Sequence, residues 1–122
     1  MGTWGQGNFE NDAALDFLGA EIDRHVTAIQ AIFADDWRFQ LDSIGDAEGE
    51  LMPRVAILAL LLEYCCGVFS PQNEPDLGSW KARYLEMYDD QIVGLEPGGD
   101  YTLQRRTVIA DTFDRLIRLH QK

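Results

Sequence analysis

Glu21 and His25 stand four residues apart in the sequence, the spacing that puts two side chains on one face of a helix. A carboxylate and an imidazole so placed are the beginning of a metal site, and His120 or Asp114 would be available as a third ligand. A dinuclear carboxylate centre, however, needs Glu-x-x-His motifs in pairs, and the chain contains none. An ordinary surface pair between Glu21 and His25 is the simpler expectation. Glu63 raises a different question. A glutamate inside an apolar run must reach water, meet a cation or keep its proton. It is the candidate buried acid, with Arg83, Arg105 or Arg106 as its expected partner. Catalysis would require a second group beside it, and the sequence identifies none, so structural pairing is favoured.

Gly5-Gln6-Gly7 precedes a helix start and so has the look of a phosphate cradle, where backbone amides point at an anion. Glu10 stands where a dinucleotide fingerprint has its third glycine, and no strand precedes the loop. Glu10, Asp12 and Asp16 would also set negative charge beside the phosphate. The same residues read better as a clasp. Trp4 and Phe9 plug into the core, Gly5 and Gly7 let the backbone turn, and Asn11 or Asp12 caps the helix that follows. The stretch from Asp42 to Asp46 lacks the alternating oxygens of a calcium loop. There is no Gly-x-Ser-x-Gly elbow. Cys65 and Cys66 lie in an apolar run where a thiolate is disfavoured. Adjacent residues close a disulfide poorly, so both are expected as reduced core residues, as in a cytoplasmic protein. No catalytic residue and no cofactor is expected.

The elements that must position these groups are helical. Leu15, Leu18, Ile22, Val26, Ile29 and Phe33 recur at spacings of three and four, which predicts an amphipathic helix ending near Asp35–Asp36. Trp37, Phe39 and Leu41 alternate with polar residues, the pattern of a short strand or a frayed helical turn, and an acidic connector runs on to Glu50. Residues 36–50 are therefore an expected irregular or β excursion. Pro53 suits a first helical turn, and Pro53–Val68 is apolar on most of its circumference, as in a central buried helix. Its one narrow face of small or polar residues is Ala56, Ala59, Glu63 and Gly67. Asp76 or Ser79 caps a third helix carrying Leu77, Trp80, Tyr84, Tyr88 and Ile92, with Gly94 as its stop. Tyr84, Tyr88 and Tyr101 read as core-edge residues. Pro97-Gly98-Gly99 breaks the chain, and Asp100 is expected to cap a last helix with Leu103, Ile109, Phe113, Leu116 and Ile117 inward. Asp111 with Arg115, and Asp114 with Arg118, are expected i,i+4 pairs. The sum is an all-α fold: a compact antiparallel bundle of about four helices behind a glycine-rich arm, with residues 1–122 as one domain.

Charge narrows the partner class. The formal net charge is −11, and residues 1–50 hold eleven acids against only Arg24 and Arg38. Such a surface repels nucleic acid and anionic membranes. No apolar stretch is long enough to span a bilayer, and no secretory signal is expected. A basic protein is the partner this field would attract.

The opening Met-Gly-Thr-Trp-Gly-Gln-Gly-Asn-Phe-Glu-Asn-Asp resembles a bacterial family called domain of unknown function 4259, whose members begin M-G-x-W-G-x-G-x-F-x-N-D. Gly2, Trp4, Gly5, Gly7, Phe9, Asn11 and Asp12 carry the match. Leu51-Met52-Pro53, Trp80 to Asp89, and Arg105 to Ile109 are similar to members as well, so the resemblance spans essentially the whole chain. It implies a mainly helical bacterial cytoplasmic protein, and it supplies no activity and no catalytic residues.

The leading expectation is thus a non-catalytic acidic interaction module, of inhibitor or immunity type, for a basic partner. The alternative is a small-molecule or metal-binding protein, with an enzyme among its forms, using Glu21, His25, Glu63 and Asp114. Self-association through the apolar central helix is a third expectation.

Overall fold

Asn11 opens the first helix. Its side-chain oxygen accepts from the Ala14 amide at 2.8 Å, satisfying one of the free donors of the first turn. In the computed structural model, which describes residues 5–95 and 98–121, α1 spans Asp12–Phe33. Leu18, Ile22, Val26, Ile29 and Phe33 are all buried along its inner face. Residues 34–46 then form turns, and no strand occurs among the described residues. Of the alternating trio, Leu41 is buried, Phe39 packs on the core edge and Trp37 points outward. Gly45 permits this loop to close, because a Cβ there would lie 2.2 Å from the Gln40 carbonyl oxygen.

A wide π-turn, Ala47–Leu51, leads directly into α2, Met52–Tyr64. Its mark is a hydrogen bond from the Leu51 amide to the Asp46 carbonyl, 2.9 Å, one residue longer than the α-helical ring. Helix α3 covers Leu77–Gln91, with Asp76 as the cap through the Ser79 amide at 3.1 Å. Helix α4 covers Gly99–His120. Gly98 rather than Asp100 holds its capping position, and Asp100 instead lies in the first turn, where a negative charge meets the free amides.

Helices α1 and α2 run antiparallel, as do α3 and α4, which are tied by Lys81 to Asp114 and Arg106 to Asp89. Helices α2 and α4 share one direction, as an alternating bundle requires, and pack side by side. Glu48 and Glu63 meet Arg105 and Arg115 respectively across this pair. Ala59, fully buried, makes this approach possible, as its small side chain lets the backbones near one another. A single apolar cluster fills the centre, with Tyr84, Tyr88 and Phe113 among its largest enclosed side chains.

Several sequence expectations change here. Helix α2 stops at Tyr64, short of Val68, and Ile57, Leu60 and Tyr64 are exposed, so it is not enclosed all round. Cys65 is half-buried and Cys66 exposed; neither is a core residue. Leu103 faces solvent. Among the described residues no helix is long and apolar enough to cross a membrane.

Candidate functional site

The residues singled out by spacing do not converge. Glu21 pairs with Arg24, its neighbour on the outer face of α1. His25 turns inward and is buried, and its Nδ1 accepts from the Arg54 guanidinium at 2.9 Å. Burial, and then the positive charges of Arg54 and Arg24, hold its pKa below the ordinary imidazole range. The ring is therefore neutral, with its other nitrogen carrying the proton. Asp114 is engaged by Lys81 at 2.7 Å and His120 by Glu74 at 2.7 Å, both away from His25. Among the described residues no three of His, Cys, Asp and Glu come together as metal ligands.

Glu63 is not a buried acid. It lies exposed at the end of α2 and takes a hydrogen bond from Arg115, none of the three arginines expected. The reason is the parallel α2–α4 pairing, which brings Arg115 level with Glu63 and Arg105 level with the π-turn. The same cross-helix reach replaces both expected i,i+4 pairs: Arg115 leaves Asp111 for Glu63, and Asp114 takes Lys81. In the N-terminal arm, Phe9 packs on the core and Asn11 caps α1, as a clasp requires. Gly5 and Gly7 both lie against the Glu10 side chain. Trp4 lies outside the described residues.

The acid that matters inside the fold is Glu48, in the π-turn. Arg105 donates to it twice, from Nε at 2.9 Å and from a terminal nitrogen at 2.6 Å. The Tyr84 hydroxyl donates a third hydrogen bond at 2.8 Å. Burial opposes the charge on Glu48, but the Arg105 and Tyr84 hydrogen bonds outweigh it and hold the carboxyl below its usual range. Burial, followed by the neighbouring carboxylate, pushes the Tyr84 phenol far upward. An ionised acid with both oxygens occupied has little capacity left to move a proton. This constellation is a clamp joining the π-turn, α3 and α4. A second chain of charges sits on the other side of the turn: Arg54 to Glu50 at 3.0 Å, Glu50 to Arg38 at 3.3 Å, and Arg38 to Asp46 at 2.7 Å.

One open groove is acidic. It measures about 480 Å³ and runs between the 36–40 turn and α3, with Asp36, Glu86 and Asp90 on its walls and Phe39 and Met87 below. A smaller cleft bordered by Asp42 and Leu95 adjoins it, sharing Gln40, Asp90 and Gln91. The one cation on the groove, Arg83, is occupied: it donates to the Phe33 carbonyl at 3.0 Å and lies over the Phe33 and Phe39 rings. Trp37 follows Asp36 in the chain and is 78% exposed. The groove was hidden from sequence reading because its two walls come from segments some fifty positions apart; Asp36-Trp37, an acid beside an exposed aromatic, was the only local signal. Comparison with family models, with characterised proteins and with solved structures gives no match to this chain.

Proposed function

We propose that the protein is a non-catalytic interaction module that receives a basic segment of another protein in the groove between the 36–42 turn and α3. The observation that supports this is where the cations go. Arg24, Arg38, Arg54, Lys81, Arg105, Arg106 and Arg115 are all engaged in intramolecular ion pairs, and Arg83 is spread over aromatic rings. The groove acids Asp36, Glu86 and Asp90 take part in none of these pairs. Against these three acids the groove holds the single charge of Arg83, so its field stays net negative, and a partner bearing Arg or Lys would be drawn in and oriented by it. Trp37 would supply the amphipathic contact on which such interfaces concentrate binding energy. An inhibitor or immunity-type role, in which an acidic protein covers a basic surface, fits this chemistry.

The test uses a fluorescent peptide of alternating arginine and leucine as a surrogate for the basic segment. Binding should weaken steeply between low and physiological salt. It should also weaken about tenfold or more when Asp36, Glu86 and Asp90 are changed together to their amides. Binding indifferent to salt, or unchanged in that triple variant, would refute the reading.

A further inference from the structure

Helix α2 ends in an unusual way. The Leu61 carbonyl accepts from the amides of both Cys65, at 3.2 Å, and Gly67, at 3.1 Å, which turns the chain sharply and carries the two cysteines out of the helix. Cys66 takes φ 55°, making it the one non-glycine residue in the left-handed region among the described residues. Glycine is the usual occupant at such a point, because a Cβ there crowds the following carbonyl. Gly67 exchanges places with it only at a cost, since a Cβ at Gly67 would press on the end of the Ile22 side chain of α1, at 2.4 Å. A thiol thus stands where backbone energetics would favour glycine, and strain of this kind gathers at functional positions.

The two cysteines share one cleft of about 460 Å³, walled by Phe9, Leu15, Tyr64 and the Gly7–Glu10 stretch of the arm. Closing on each other is disfavoured. Adjacent Cα atoms are ~3.8 Å apart, inside the ~4.4 Å lower limit for an unstrained disulfide. Both sulfurs therefore remain available to a third party. Among the described residues no third His, Cys, Asp or Glu converges on them as a metal ligand, so a four-coordinate zinc site is not what the pair offers. Two soft ligands alone suit a soft ion of low coordination number.

We propose that Cys65 and Cys66 form a two-thiolate site for a thiophilic metal ion, with Cu(I) as the representative, in the cleft between the end of α2 and the N-terminal arm. On binding, each thiol gives up its proton to solvent and two S–Cu bonds form. The copper stays monovalent, and no oxidant or reductant is needed. Phe9, Leu15 and Tyr64 shield one side of the ion from water and larger ligands.

The experiment is an anaerobic titration of the reduced full chain with Cu(I), in competition with bathocuproine disulfonate, while circular dichroism follows the fold. One ion per chain is expected, and Cys65→Ser and Cys66→Ser should each loosen it about 100-fold or more. Cys66→Gly should melt higher than the natural protein yet lose the ion, an outcome that a purely structural Cys66 would not give. The proposal is overturned by a ratio other than one or by a single-thiol variant binding within about threefold of the natural chain. Equal affinity in the urea-unfolded chain would overturn it too, because the cleft would then contribute nothing.

Discussion

Replacing Arg105 with methionine removes two charged hydrogen bonds from Glu48 and leaves that carboxylate held only by Tyr84. Breaking one side of a buried ion pair typically costs ~3–5 kcal/mol. Here the Arg105 and Glu48 side chains keep 24% and 29% of their accessible surface, so water takes over part of the solvation. The expected loss is about 2 kcal/mol at neutral pH, or a fall in Tm of roughly 6–10 °C for a chain of this size. Glu48→Gln removes the charge but keeps an acceptor for Tyr84, and should cost about 1–2 kcal/mol. Because both changes dismantle one clamp, the double variant should fall short of the sum by about 1–2 kcal/mol. The pH dependence has a defined sign. Glu48 has a folded pKa below the unfolded value of 4.5, so its contribution is complete above that value and fades as pH falls through the folded one. The Arg105→Met penalty should therefore shrink between pH 7 and pH 3. Urea denaturation of the four proteins at both pH values measures all of this. Additive effects to within about 0.5 kcal/mol, or a pH-independent penalty, would show that the clamp holds nothing.

Other expectations follow from individual contacts. Gly45→Ala should destabilise by about 3 kcal/mol or more in thermal melts, as its Cβ has no room beside the Gln40 carbonyl, whereas Gly49→Ala, with open space around it, should be neutral or slightly stabilising. Gly67→Ala should cost about 1–3 kcal/mol by pushing Ile22, and hydrogen exchange should locate the loosening where α1 meets the end of α2. His25, whose pKa is lowered in the fold, stabilises the folded form above its unfolded pKa of 6.5 and loses that contribution as pH falls through the folded value. His25→Gln should flatten the stability profile just below pH 6.5, and an NMR titration of the ring should show the depressed midpoint directly. A profile unchanged by the substitution would mean the Arg54 contact has no thermodynamic weight.

Features with a local cause were readable from the sequence. The apolar periodicity of α1, the caps Asn11 and Asp76 (each one of two candidates) and the proline in the first turn of α2 each depend on residues within one or two turns of each other, although the last helix is capped at Gly98 rather than Asp100. The features that failed share a different origin. Arg105 finds Glu48 across 57 positions and Tyr84 finds it across 36, and nothing nearby distinguishes Glu48 from the other acids of its connector. Arg115 and Asp114 pass over their helical neighbours because partners on α2 and α3 lie within reach, and packing between helices outranks the weak i,i+4 preference. The cysteines were misplaced because an apolar run continues past Tyr64 while the helix does not.

The widened turn ahead of α2 is what an α-helix becomes when it absorbs one additional residue without breaking. Each residue advances a helix by about 100°, so excision of any one position between Ala47 and Leu51 would leave a regular rod with everything upstream rotated by that amount. Arg38, upstream of the turn, would then lose its register with Glu50, and a deletion after Glu48 would swing that acid away from Arg105. Length in this short stretch is consequently under tighter constraint than composition. Conservative exchanges at Gly49 should pass unnoticed, while a codon lost after Glu48 should cost the molecule both of its charge clusters at once.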